Sequence, residues 1–292
     1  MIIPITFDHF EAGIDAQNGG TLAYFRTRRD DNLINWVRPQ LSDGADPLMS
    51  GCFPLVPFSN RIENGKFDYE KKHVELPINI PGEPYPIHGF SFQNPWDVKT
   101  QTPNELIIVQ NINNPHWPWH YRAEQHFLLD EDGLKIEISI TNNGTGNMPA
   151  GLGLHPYFLI ENGIKIKANV NSMFMNNDLS IPTEKTKNHT AITSLQSGND
   201  LLHDLGTIYD DWDQSALLTW PDKQLKITAS KTLPYLIIFR PEGEDFFCVE
   251  PVSHCTNAVN MDKEKWGETG LINLPPKETL TGWLEMTPSN LG

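Results

Sequence analysis

The chain has 292 residues, and its 22 basic and 37 acidic side chains give a formal net charge of −15 at pH 7. Hydrophobic residues make up 38% of the sequence and charged residues 20%, which is typical of a folded globular protein and excludes an intrinsically disordered one. An acidic chain repels phosphate backbones, and no window holds the roughly 18 apolar residues of a membrane span, so we expect neither a nucleic-acid nor a membrane partner.

Short β-strands dominate the predicted secondary structure. The 21 glycines and 23 prolines are scattered through the chain, and each proline inside a helix would destabilise it by about 3 kcal/mol. Strands are predicted over 105–110 and 122–129. A third covers 134–141, where apolar and polar residues alternate from Leu134 onwards, as in a half-buried strand. The acidic segment 130–133, which ends in a glycine, predicts a hairpin turn between the last two strands.

The second half of the chain continues this pattern, apart from the polar segment 188–204, which is predicted as a long surface loop. Strands are predicted over 216–220, 225–228, 235–240, 246–250 and 280–286. Short, closely spaced strands without alternating helices favour an all-β sandwich or barrel over a doubly wound fold. No repeat or linker interrupts the pattern, so we expect one domain over residues 1–292.

The three cysteines, Cys52, Cys248 and Cys255, do not have the spacing of a metal site. An odd number of thiols fits a reducing compartment, in which structural cysteines stay free. The N-terminal segment also lacks the basic region and apolar run of a secretory signal. We therefore expect a cytoplasmic protein with reduced thiols and no metal.

Two segments in the first third of the chain offer polar groups to a ligand. In segment 57–67, Arg61 presents a planar fork of donors suited to an oxygen-rich ligand. The alternative is a surface arginine in a turn that ends at Gly65. Further on, His88 is followed by Gly89, which permits close approach to a ligand. The alternative there is a histidine held by structural hydrogen bonds.

Two later segments place titratable groups in apolar surroundings. His155 lies in the glycine-rich and aromatic segment 151–158, and its pKa range suits proton transfer. Glu250 ends the apolar strand predicted over 246–250, and burying it ionised would be costly unless it is paired. Such residues often serve in acid–base chemistry, although Glu250 could also face water at the end of its strand.

An acidic cluster and the tryptophans are further candidates for a ligand site. The cluster consists of Asp210, Asp211 and Asp213 around Trp212, an arrangement usually found in solvated loops. Aromatic rings pack well against the apolar faces of sugars, although most tryptophans in a large sandwich belong to the core. The candidate tryptophans are Trp96, Trp117, Trp119, Trp212 and Trp220.

Taken together, these segments resemble the aldose 1-epimerase (galactose mutarotase) family. The resemblance extends over about 200 residues and depends on the order and separation of four motifs rather than on any one of them. The motifs are Asn60-Arg61-Ile62 with Gly65 and Phe67, then His88-Gly89, then His155-Pro156-Tyr157-Phe158, and finally Val249-Glu250-Pro251. The resemblance implies a single large, twisted antiparallel β-sandwich, the galactose mutarotase-like supersandwich, with a sugar cleft on one sheet face.

The resemblance also implies roles for individual residues. Glu250 would be the catalytic base and His155 the catalytic acid that opens and closes the ring of a free aldohexose such as galactose or glucose. Substrate binding would fall to Asn60, Arg61, His88 and Asp211, with Asp210 and Asp213 as alternatives to Asp211. The implied partner is a small sugar, and the reaction needs no cofactor.

Other functions stay open at this point. A glycosidase would pair Glu250 with a carboxylate from the 209–213 segment, which leaves both histidines unused. A non-catalytic carbohydrate-binding or sensor protein could keep the same cleft, although the presence of both His155 and Glu250 favours an enzyme. A hexose-6-phosphate epimerase would need extra basic residues around the cleft. A metal site formed by His88, His155 and Glu250 has no supporting local spacing.

Overall fold

In the computed structural model, two antiparallel sheets carry most of the chain. The structure describes residues 1–29, 32–161, 163–199, 205–262, 264 and 269–290. Within them, the strands are β1 (Ile3–Phe7), β2 (Phe10–Asp15), β3 (Thr21–Arg29), β4 (Asn32–Asn35), β5 (Cys52–Leu55), β6 (Lys66–Tyr69), β7 (Lys72–Glu75), β8 (Asp97–Gln101), β9 (Glu105–Asn114), β10 (Trp117–Leu129), β11 (Leu134–Asn142), β12 (Met148–Ala150), β13 (Gly153–Leu159), β14 (Lys165–Ala168), β15 (Ser172–Asn176), β16 (Pro182–Thr186), β17 (Leu205–Asp210), β18 (Ser215–Thr219), β19 (Lys223–Ala229), β20 (Tyr235–Arg240), β21 (Phe246–Val252), β22 (Ile272–Leu274) and β23 (Thr279–Asn290). Short 3-10 turns cover Pro47–Met49, Glu63–Gly65, Ser91–Gln93 and Ala258–Asn260.

The described strands form two large sheets and two small ribbons. The first sheet has eleven strands in the order β1-β2-β3-β5-β13-β21-β20-β17-β15-β16, with β4 paired to β3. The second has eight strands in the order β14-β18-β19-β23-β11-β10-β9-β8. The ribbons are β6-β7 and β12-β22. One cluster of buried side chains contains residues of both large sheets, so the prediction of an all-β antiparallel sandwich is confirmed.

The predicted hairpin shows how the alternating pattern builds this core. Strands β10 and β11 pair in the register that places Leu129 opposite Leu134, with the turn at 130–133 between them. Along β11, every second residue is buried, starting with Leu134, and the polar residues between them are partly exposed. Burying each such side chain stabilises the fold by about 1.5–3 kcal/mol. Strands are also found in every other range in which the sequence predicts one.

The prediction for segment 188–204 is wrong in its centre. Thr190–Ser197 forms helix α1, which begins where the His189 imidazole accepts a hydrogen bond from the Ala191 N–H and ends at Gly198 in a left-handed conformation. Ala191, Ile192 and Leu195 form its buried side. Residues 200–204 of the predicted loop lie outside the described residues.

Two further features concern the whole fold. Cys52, Cys248 and Cys255 are buried and form no disulfide, as the sequence predicts. Among the residues that the structure describes, no helix has the length and apolar character needed to cross a membrane.

Candidate active site

Four central strands of the first sheet bring one residue each into a single row. Phe53 of β5 lies opposite His155 of β13, and Ile237 of β20 lies opposite Glu250 of β21. The register between β13 and β21 places His155 directly across from Glu250. Because cross-strand neighbours project to the same face of a sheet, the imidazole and the carboxyl group lie side by side.

A cavity of about 460 Å³ opens beside this row. Its volume falls within the usual range for small-molecule sites. Five of the six site residues named from the sequence line it, namely Asn60, Arg61, His88, His155 and Glu250. Apolar and aromatic side chains form much of the remaining wall, namely Phe53, Tyr157, Ile237, Phe239 and Phe246.

His155 and Glu250 form a buried pair in the wall of the cavity. His155 Nε2 lies 3.3 Å from Glu250 Oε1, and the two side chains are only 6% and 2% exposed. His155 Nδ1 and Glu250 Oε2 have no hydrogen-bond partner among the described residues. Buried polar atoms without partners are rare in folded proteins, and a polar ligand in the cavity could supply the missing hydrogen bonds.

Burial also sets the protonation of this pair. It raises the pKa of Glu250 to about 8, although Arg61 acts in the opposite direction. Burial lowers the pKa of His155 to about 3. At neutral pH the pair therefore holds one titratable proton, which resides on the carboxyl group beside a neutral imidazole that keeps its single N–H. Strongly shifted pKa values in two neighbouring groups, one raised and one lowered, are a feature of acid–base sites.

The raised pKa of Glu250 predicts a pH-dependent stability. Between its ordinary pKa of 4.5 and about 8, folded protein holds a proton at Glu250 that the unfolded chain releases, so Glu250 makes the free energy of unfolding fall as pH rises. The lowered pKa of His155 acts in the opposite direction between about pH 3 and pH 6.5, so the comparison with a variant isolates Glu250. We expect the free energy of unfolding of Glu250→Gln, relative to that of the wild type, to rise by about 5 kcal/mol between pH 4.5 and pH 8. Urea unfolding at several pH values measures the difference, and parallel curves for the two proteins would contradict it.

Stacking holds the His155 ring in place. Its imidazole packs against two aromatic rings, with ring centroids 4.5 Å from Phe53 and 4.7 Å from Tyr157 and interplanar angles of 19° and 25°. The guanidinium carbon of Arg38 lies 3.9 Å from the centroid of the Tyr157 ring. The role of Tyr157 is open from the sequence alone, and no local motif marks Arg38, because its contacts depend on tertiary structure.

His88 and Asn60 hold each other at the edge of the cavity. The Asn60 N–H donates to His88 Nδ1 at 3.1 Å, and the His88 N–H donates to the Asn60 carbonyl oxygen at 3.1 Å. Burial lowers the pKa of His88 well below its ordinary value, so the ring is neutral and its proton resides on Nε2. Gly89 is required next to it, because a Cβ there would lie 2.1 Å from the Val56 carbonyl oxygen.

Arg61 is fixed by a carboxylate that the sequence analysis missed. Its Nε and Nη2 lie 2.8 and 2.7 Å from Glu83 Oε2, and its Nη1 donates to Asn60 Oδ1 at 3.4 Å. This pair positions the guanidinium in the cavity wall and neutralises its charge. Glu83 is 22 residues away in the chain, and no local motif signals the pairing.

The acidic cluster lies outside this cavity. Asp210 pairs with Lys185, Asp213 Oδ1 accepts from the Ser215 N–H at 3.2 Å, and Asp211 is exposed. None of the three aspartates lines the cavity, so the structure does not bring Asp211 to the other predicted site residues. Of the two interpretations of the five candidate tryptophans, the core one holds, because the described lining contains no indole and all five are buried in the core.

One group of buried side chains has the spacing of a possible metal site. Ligand atoms of His155, Cys248 and Glu250 lie within 4.8 Å of one another. This set differs from the predicted one, in which His88 takes the place of Cys248. Burial raises the pKa of the Cys248 thiol well above its ordinary value, so metal binding would have to expel a proton from it.

Comparison with known proteins supports the motif-based resemblance. The sequence model of the aldose 1-epimerase family matches residues 8–287. The chain belongs to the aldose 1-epimerase family. Two relatives come from Escherichia coli K12: YphB is 26% identical over 299 residues, covering 96% of this chain and 97% of the relative. YihR is 24% identical, with 70% of each chain covered.

Solved structures of other proteins have the same fold as this chain. A candidate aldose 1-epimerase from Escherichia coli K12 has a TM-score of 0.89 at 24% identity, covering 100% of this chain and 99% of its own. A galactose mutarotase-like protein from Clostridium acetobutylicum has a TM-score of 0.86 at 19% identity, with 99% and 95% covered. The predicted galactose mutarotase-like sandwich is therefore confirmed.

Proposed function

We propose that this protein is an aldose 1-epimerase that interconverts the α and β anomers of a free aldose, with Glu250 as base and His155 as acid. The observation that carries the proposal is the buried His155–Glu250 pair, which holds one proton beside a sugar-sized cavity. Membership of the aldose 1-epimerase family supports the same reaction class.

The reaction requires two proton transfers and no redox step. A base removes the proton of the C1 hydroxyl while an acid protonates the ring oxygen, so the bond between C1 and the ring oxygen breaks and a carbonyl group forms. Rotation about C1–C2 and closure on the opposite face then reverse both transfers. Substrate and product are isomers, so no electrons are gained or lost. Each positioned acid or base contributes about 10²–10⁴-fold to the rate.

A single proton on the pair is sufficient for the whole cycle. Ring opening uses ionised Glu250 and protonated His155, and it leaves a neutral carboxyl group and a neutral imidazole. That neutral form is also the resting form that burial favours at neutral pH. Proton transfer across the 3.3 Å separation converts one form into the other. In the free protein, Glu250 and His155 therefore have the same protonation as they have after the sugar ring has opened.

The remaining polar groups of the cavity bind the sugar. His88 donates from Nε2, because its Nδ1 already accepts a hydrogen bond from Asn60. Arg61 adds donors held in place by Glu83. The glycosidase alternative that pairs Glu250 with the 209–213 segment loses support, because that segment supplies no carboxylate to the described lining. Of the other carboxylates in the lining, Glu83 is held by Arg61 and Glu244 is exposed. We also propose a single domain and a cytoplasmic location.

The pH profile of anomer conversion tests this function. Polarimetry follows freshly dissolved α-D-glucose and α-D-galactose from about pH 5 to about pH 9, with and without protein. We expect a faster approach to equilibrium with protein, and an enzyme-dependent rate that falls about tenfold per pH unit above about pH 8, where the pair loses its only proton. An enzyme-dependent rate that keeps rising above pH 8 would contradict the shared proton.

A further inference from the structure

Arg38 is a buried arginine in the cavity wall, separate from the groups used in the mechanism above. It is 7% exposed and lines the same cavity as His155. Its Nε and Nη2 donate to the Ser50 carbonyl oxygen at 3.3 and 3.0 Å, and Nη2 also donates to the Leu48 carbonyl oxygen. Its guanidinium group packs over the rings of Tyr157 and Phe246.

The charge of Arg38 is not neutralised by a contacting acid. Within the described part of the chain, no carboxylate oxygen lies within 4.0 Å of it, and its electrostatic neighbours are Asp245, Cys248 and Tyr157. Arg61 differs in this respect, since Glu83 pairs with it. Buried charges in proteins are normally paired, because an uncompensated one is costly. Arg38 therefore places in the cavity wall a positive charge that no contacting acid offsets, since the other unpaired carboxylate of the described lining besides Glu250, that of the exposed Glu244, forms no ion pair with it.

The position of Arg38 suits the far end of a bound sugar. Arg38 and His155 line the same cavity and both contact the ring of Tyr157, with the guanidinium carbon 3.9 Å and the imidazole centroid 4.7 Å from the centroid of that ring. An aldose whose ring oxygen meets His155 can therefore direct a substituent remote from C1 towards the guanidinium group.

We propose that the preferred substrate is an aldose with a negatively charged group remote from C1, such as a phosphate or a carboxylate, and that Arg38 is the residue that selects it. This inference rests on the proposed epimerase function and names its substrate class. The anion supplies the counter-charge that Arg38 lacks in the protein, through a charge-assisted hydrogen bond.

Anomer exchange of three sugars tests the proposal. D-Glucose, D-glucose 6-phosphate and D-glucuronate are compared by NMR with wild type, Arg38→Gln and the control Arg122→Gln. Arg122 is a partly exposed arginine of β10 that pairs with Glu124 outside the cavity. We expect wild type to show a higher kcat/KM for one of the two anionic sugars. Arg38→Gln should lower the ratio of anionic to neutral kcat/KM by about 10- to 100-fold, whereas Arg122→Gln should leave it unchanged.

The outcomes separate this inference from the proposed function. Equal kcat/KM values for all three sugars, or a ratio that Arg38→Gln leaves unchanged, would overturn the role of Arg38 and leave the epimerase function standing. A structural defect in Arg38→Gln would lower all rates together and leave the ratio unchanged. If the wild type accelerates anomer exchange for none of the three sugars, titration calorimetry measures whether the anionic sugars bind. It compares their binding to Glu250→Gln with their binding to Glu250→Gln/Arg38→Gln. Arg38-dependent binding would then support anion selection while the epimerase proposal fails, and its absence would overturn both.

Discussion

Glu250→Gln is expected to lower the kcat of anomer conversion by about 10²–10⁴-fold, with a much smaller change in KM. The amide keeps the shape of the carboxyl group, but it can neither accept the C1 proton as a base nor return it. Because Glu250 is 2% exposed, the substitution changes the cavity wall without altering the protein surface. Progress curves from polarimetry, fitted over a range of sugar concentrations, give both constants.

A matched control for Glu250→Gln exists on the second sheet. Glu105 and His126 form a histidine–carboxylate contact of 2.7 Å, with both side chains 29% exposed. Glu105→Gln should leave kcat unchanged, because neither residue lines the cavity. Full activity in Glu250→Gln, or an equal loss in Glu105→Gln, would remove Glu250 from the mechanism.

His155→Asn is expected to cause a loss of similar size, because the ring oxygen then has no proton donor. The two residues pass one proton between them, so their effects should not add. The double variant Glu250→Gln/His155→Asn should be no more than a few-fold slower than the slower single variant. Steady-state rates of the two single variants and the double variant test whether the losses add, and circular dichroism checks that each variant is folded.

The surface pair again supplies the comparison for this second prediction. His126→Asn removes an imidazole from a similar contact outside the cavity and should keep the wild-type rate. Multiplicative losses in the double variant would mean that the two groups act independently, which contradicts a shared proton.

Much of the fold and part of the site could be predicted because their signals are local. Alternating apolar residues along β11 reflect a sheet with one buried face, and the turn at 130–133 fixes its partner strand. The site residues came from short motifs, and four of the predicted positions meet His155 in one cavity. The contact between His155 and Glu250 follows from the register of β13 with β21, and no local sequence pattern specifies that register.

The parts that could not be predicted depend on long-range contacts. Glu83 reaches Arg61, and Arg38 reaches the carbonyl groups near Ser50, only after the chain has folded. Helix α1 was missed because it spans only eight residues, and its three buried residues make a weak helical signal in a polar segment. The position of the tryptophans stayed open because residue type alone does not distinguish a ring in a cavity wall from one that fills the core between two sheets.

The most direct test of the central claim is saturation-transfer NMR between the α and β anomeric signals of a panel of aldoses that includes neutral and anionic members. If His155 and Glu250 pass a proton across a sugar in this cavity, wild-type protein should accelerate exchange for at least one aldose, and Glu250→Gln should lower that enzyme-dependent exchange by about 10²–10⁴-fold. Exchange that wild-type protein leaves unchanged for every aldose, or that Glu250→Gln accelerates equally, would contradict the claim.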